Sequence, residues 1–168
     1  MKGLCMTAVE IDERTLDDVA ATASFTWGLS FSRSDVSIVI SALHNLTDFS
    51  GEEIEADVAA FWGKPVPVIS AESAVVFVYL IMENLWRCAA MGGEAELSVS
   101  DMRVIAVALD DLAGRDKGDA TVTYGELEDA NDETLNKILA EDGELQRYCA
   151  LLRDACAKFV ATTEAVLA

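Results

Sequence analysis

Leu145-Gln146-Arg147-Tyr148-Cys149-Ala150-Leu151-Leu152-Arg153-Asp154-Ala155-Cys156-Ala157-Lys158-Phe159 is the stretch whose reading decides the fold class of this chain. Leu145, Cys149, Leu152, Cys156, Phe159, Thr163 and Val166 recur at alternating spacings of four and three. That period lines them up along one seam of a helix. A seam of this kind needs a facing helix. The expected partner lies within the same molecule; the alternative is a homodimer joined through Leu145, Cys149, Leu152, Cys156 and Phe159.

Upstream, the same period dominates. Residues 73–91 read as a central helix, apolar all round from 74 to 82, which implies cover on every side. Gly92-Gly93 ends it. Residues 100–112 follow as a helix with Val104, Ile105, Ala108 and Leu112 inward. Ser34 caps a helix running to about residue 46, with Val36, Val39, Ile40 and Leu43 on its inner face. Ser50-Gly51-Glu52-Glu53 fits a capping box and opens a helix that buries Ile54, Val58 and Phe61. Residues 12–23 suit a further helix, and 126–144 one or two short ones. Residues 25–31 read as an aromatic connection, and Lys64-Pro65-Val66-Pro67 as a short rigid connector. No internal repeat stands out. The expectation is an all-α, single-domain helical bundle over residues 1–168, with about six to seven helices, little or no β, and a minor boundary at 64–67.

Composition narrows the class. The chain has 168 residues, 30 acidic and 12 basic, a formal charge of −18 and one histidine. At 52% apolar it is too hydrophobic for a disordered acidic tail. Direct nucleic-acid binding is disfavoured, because that affinity rests on Lys and Arg neutralising phosphates. Cys5, Cys88, Cys149 and Cys156 are scattered, without zinc-type spacing, so buried reduced thiols are expected and no metal or cofactor. The apolar run at 74–82 falls short of the roughly 20 residues of a membrane span, and residues 1–6 lack a signal-peptide core. No membrane is expected as a partner, and a cytoplasmic location is.

Catalytic signals are thin. His44 lacks a partner in sequence, and no nucleophile elbow, phosphate-cradling loop or dinucleotide fingerprint occurs. Residues 115–126 have some calcium-loop rhythm, but Arg115 and Lys117 stand where oxygen ligands belong. Trp62 and Trp86 read as core edges, whereas Trp27 could anchor a partner.

Acid is the unusual property. Residues 1–50, 51–100 and 101–150 carry net −4, −6 and −8, and 151–168 are neutral. The densest carboxylates are Glu126, Glu128, Asp129, Asp132, Glu133, Glu141, Asp142 and Glu144, with Glu52, Glu53, Glu55 and Asp57 as a second patch. Held on rigid helices, such an array resembles a phosphate backbone and attracts a basic groove. The functional expectation is a non-enzymatic, acidic protein-binding module, an inhibitor or immunity protein that mimics nucleic acid and blocks a basic protein partner. The rivals are an oligomeric adaptor using the C-terminal seam, and a small-molecule-binding or enzymatic bundle with a pocket among Phe77, Tyr79, Met82, Trp86 and Met102.

Overall fold

The computed structural model describes residues 6–12, 29–63, 73–91, 93–114 and 144–167. In chain order these form β1 (Met6–Asp12), β2 (Ser30–Ser32), α1 (Arg33–Leu46), α2 (Gly51–Trp62), α3 (Ala74–Met91), β3 (Gly93–Ser98), α4 (Val99–Ala113) and α5 (Glu144–Leu167). The fold is mostly helical, as expected. Five helices lie among the described residues, together with a small sheet that helical periodicity did not reveal.

The sheet has the order β2-β1-β3. β1 runs parallel to β2, with Ile11 opposite Phe31, and antiparallel to β3, with Met6 opposite Ser98 and Ile11 opposite Gly93. In β1, Thr7, Val9 and Ile11 put β-branched residues at every second position, a pattern that suits a pleated surface. In β3, Glu94 and Glu96 are exposed while Ala95 and Leu97 are fully buried. This alternation marks a strand with one face on the core. It also corrects the reading of Gly92-Gly93 as a plain helix stop, since Gly93 opens β3. Asp12, expected to begin a helix, ends β1.

Both edge strands lead straight into a capped helix. Ser32 closes β2 and caps α1: its hydroxyl accepts from the Asp35 amide at 3.0 Å, and Asp35 Oδ2 accepts from the Ser32 amide at 2.8 Å. Ser98 closes β3 and caps α4 with the same reciprocal pair to Asp101, at 3.0 and 2.8 Å. The cap of α1 is therefore Ser32, and Ser34 sits buried inside the first turn. Ser34 looks like a cap because it precedes the apolar stripe, but the acid three residues on pairs with Ser32. The expected box at Ser50 and Glu53 is present in α2, which ends on Gly63 at φ 73°, the left-handed conformation that glycine adopts without penalty.

The two caps reveal an internal repeat that the continuous sequence conceals. With an offset of 66 residues, Ser32, Ser34, Asp35, Ala42, Leu43 and Leu46 match Ser98, Ser100, Asp101, Ala108, Leu109 and Leu112. Phe31, Val36, Ile38 and Val39 correspond to Leu97, Met102, Val104 and Ile105, and all eight are buried. One strand-cap-helix unit is used twice. The copies enter opposite edges of the sheet in opposite directions, and α1 packs on α4.

The central helix is α4, and not the more apolar α3. Every residue from Val104 to Leu109 is buried, and α4 touches α1, α2, α5 and β3. Ala106 and Ala108 are small enough to let neighbouring helices approach closely. The C-terminal seam finds its expected partner inside the chain. Cys149, Leu152 and Cys156 are fully buried and Phe159 is 7% exposed, in the most extensive helix pairing of the molecule, α4 with α5. A homodimer through these side chains would require α5 to leave α4.

Candidate functional site

The second acidic patch lies on α2. Ile54 and Val58 face the core, so Glu52 and Glu53 are exposed, and Glu55 and Asp57 lie at the flanks, half-buried. Glu53 Oε1 accepts from the Ser50 amide at 2.9 Å, so it serves the cap as well as the surface. Glu52, Glu55 and Asp57 have no ion-pair partner among the described residues. In the first patch, Glu144 is the first residue of α5, while Glu126, Glu128, Asp129, Asp132, Glu133, Glu141 and Asp142 lie outside the described residues.

Among further exposed carboxylates not singled out by sequence are Glu83 on α3, and Glu94 and Glu96 on β3. They too have no ion-pair partner among the described residues. The two-residue alternation of 94–97 is the signal that could have placed Glu94 and Glu96 on one solvent face.

Cations are handled differently. Arg103 pairs with Glu164, and Arg153 Nη1 meets Asp110 Oδ1 at 2.8 Å, both linking α4 to α5. Arg153 Nε also meets Asp154 at 3.0 Å. Arg103 and Arg153 are thus compensated between helices, whereas Arg87 on α3 is exposed and is bonded to the neutral Asn84 amide.

The outward face of α3 is the second unusual surface. Only Ala74, Val78, Ile81 and Leu85 are buried in this 18-residue helix. Val76 is 58% exposed, Tyr79 53%, Leu80 58%, Trp86 64% and Met91 79%. The expectation that 74–82 is covered on every side therefore fails among the described residues, and Trp86 is not a core edge. Trp62 fits that description, since its indole N–H donates to the Arg103 carbonyl at 3.1 Å and its ring meets Phe61 edge-on. Trp27 lies outside the described residues. The pocket imagined among Phe77, Tyr79, Met82, Trp86 and Met102 is not assembled, because Tyr79 and Trp86 face outward and Met102 is in the core.

α3 is anchored to the sheet through a polar contact. Asn84 Nδ2 donates to the Glu96 carbonyl at 2.9 Å, and Arg87 donates to Asn84 Oδ1 at 3.4 Å. Glu96 thus stands beside the middle of the apolar face. α3 is also the one helix among the described residues long and apolar enough to cross a membrane, a property shared by core helices.

Residues able to perform chemistry are dispersed. His44 is exposed in the last turn of α1. Among the described residues, no three His, Cys, Asp or Glu side chains gather as a metal site would need. Burial raises the Asp101 carboxyl above its usual range, against two hydrogen bonds from Ser98 that lower it. Cys149 and Cys156 are buried free thiols, and Cys88 is half-buried.

Burial pushes the Cys149 thiol from 9.0 to about 12. The folded chain then retains a proton that the unfolded chain loses above the ordinary thiol value. Stability from this residue is fully present below pH 9.0 and is lost as pH rises toward about 12. The slope approaches about 1.4 kcal/mol per pH unit in that window. Urea unfolding from pH 8 upward should show this slope in the native chain and a shallower one in Cys149→Ala. Equal slopes would place the thiol in contact with water.

Searches of protein-family models, curated proteins and solved structures find no match for this chain.

Proposed function

We propose that this chain is a non-enzymatic, acidic protein-binding module that captures a basic partner, in the physical class of inhibitors that mimic nucleic acid. The observation that carries this reading is the uneven compensation of charge. Arg103 and Arg153 are paired between α4 and α5, whereas Glu52, Glu55, Asp57, Glu83, Glu94 and Glu96 have no ion-pair partner among the described residues. On a chain of net charge −18, that arrangement concentrates negative potential outside and leaves little positive charge to cancel it.

Such a field attracts a cationic groove before contact and raises the association rate. Because α2, α3 and β3 already fix the backbone that carries these carboxylates, binding has to order only their side chains, which limits the entropy cost. The mechanism is occlusion, with the basic groove filled by carboxylates where nucleic-acid phosphates would otherwise lie.

Reversing charge at Glu52→Lys, Glu55→Lys and Asp57→Lys leaves the Ser50–Glu53 cap in place. Basic proteins retained on the immobilised wild-type chain should be displaced by excess duplex DNA. The triple variant should retain at least about tenfold less while keeping its helical circular dichroism. If charge served only solubility, retention would not depend on where the reversal falls. Equal loss from reversal at exposed Asp48 would then count against the α2 patch.

A further inference from the structure

We propose that the outward face of α3 is a docking strip for a cationic amphipathic helix of a partner protein, a deeper reading that rests on the acidic capture described above.

The internal repeat supplies the comparison that makes this face unusual. α3 and α5 play the same role, each packing on the first helix of its own unit, α1 and α4. On α5 the exposed residues among those described are Arg147, Asp154, Ala161 and Ala165, with Val166 in the last turn. On α3 they include Val76, Tyr79, Leu80, Trp86 and Met91. Of the six large apolar side chains exposed among the described residues, five therefore stand on α3 and one, Val166, on α5.

Spacing suits a helix as the occupant. Val76, Tyr79, Leu80, Glu83, Trp86, Arg87 and Met91 fall on one arc along the length of α3. An 18-residue helix is about 27 Å long, and a strip about 10 Å wide along it covers only about 300 Å². A stable dimer of folded copies needs about 800 Å² on each side. The strip matches one amphipathic helix seated by anchors three and four residues apart.

Charge selects which helix. Glu83 lies within the strip and Glu96 beside it, joined to α3 through Asn84, with Glu94 on the same strand face. Arg87 is the one exposed cation on α3. A second copy brings another −18 and is repelled, and so is an anionic membrane surface. A helix with lysines or arginines flanking an apolar stripe satisfies both features.

The test uses an 18-residue peptide of Leu and Lys at helical spacing, and a scrambled peptide of the same composition, titrated calorimetrically into the full chain. The amphipathic peptide should bind at least about tenfold tighter than the scrambled one. Leu80→Gln with Trp86→Gln should reduce it to the scrambled level without changing the melting transition, since both side chains already face solvent. Acrylamide should quench Trp86 in the free chain, so Trp86→Phe should lower the quenchable fraction. An unchanged fraction would mean that part of this same chain covers the strip, and would overturn the proposal. So would self-association in high salt that L80Q/W86Q abolishes, which points to a second copy, or binding to phosphatidylcholine vesicles in place of the peptide. Equal binding of both peptides would overturn the α3 strip while leaving acidic capture standing. Failure of both peptides to bind at low salt would overturn the two together.

Discussion

Asp35→Ala should lower the free energy of unfolding by about 3 kcal/mol, because two polar groups lose their acceptor at once. Asp35 is fully buried. Oδ2 accepts from the Ser32 amide at 2.8 Å, and Oδ1 accepts from the hydroxyl of Tyr148, itself fully buried on α5. Alanine would leave the Tyr148 O–H and the Ser32 N–H without that acceptor, and would break the α1 capping box. Tyr148→Phe removes a donor but leaves Asp35 its bond to Ser32, and should cost only about 1 kcal/mol. Asp101→Ala makes the comparison within the repeat. Asp101 is bonded to Ser98 but has no hydroxyl from α5, so its loss should resemble that of an ordinary cap, about 1 kcal/mol. Urea midpoints at constant m-value would measure all three. Equal losses for Asp35→Ala and Asp101→Ala would show that the Tyr148 link adds nothing.

Leu152→Asp should abolish the folded state at ordinary temperature. Leu152 is fully buried between Cys149 and Cys156, in the seam of α5 against α4. A carboxylate there has no counter-charge in the seam and loses its hydration. The cost, above about 4 kcal/mol, consumes much of the 5–15 kcal/mol that holds a typical domain together. Leu152→Ala, which only opens a cavity, should cost about 2–5 kcal/mol and still fold. Circular dichroism and light scattering together decide the matter. The expected product is an unfolded or aggregated chain. A folded, helical protein of half the native mass would instead show that the seam joins two copies.

How much of this was legible in the sequence depended on which period an element carried. The helical period of the C-terminal segment was readable because seven residues repeat over 22 positions; the structure buries Cys149, Leu152, Cys156 and Phe159 of that seam, whereas Val166 near its end is exposed. The Ser50 box was readable because turn chemistry is local. β1 and β3 were missed because each is short and carries acid, so Met6–Asp12 and Gly93–Ser98 resemble polar helix flanks until they are paired. The repeat was hidden because its matches are sparse and interrupted. Only when Ser32 and Ser98 both prove to be caps does the register of 66 residues become visible.

The candidate site divides in the same way. The identity of the acids is plain in sequence, but partnership is not: Asp110 and Glu164 belong to internal pairs, while Glu83, Glu94 and Glu96 have no such pair among the described residues. The apolar face of α3 was misread for a physical reason. Composition shows that a helix is apolar all round but not which side has neighbours, and the surrounded position went to α4, whose alanines permit closer packing.

The most direct measurement of whether this negative surface is a recognition surface is retention of basic proteins on the immobilised chain as ionic strength rises. Between about 0.1 M and about 1 M salt the screening length falls from about 10 Å to about 3 Å. Capture by the carboxylate array should be strong at the low end and lost at the high end. Partners that stay bound throughout, or that carry no excess of positive charge, would contradict the account.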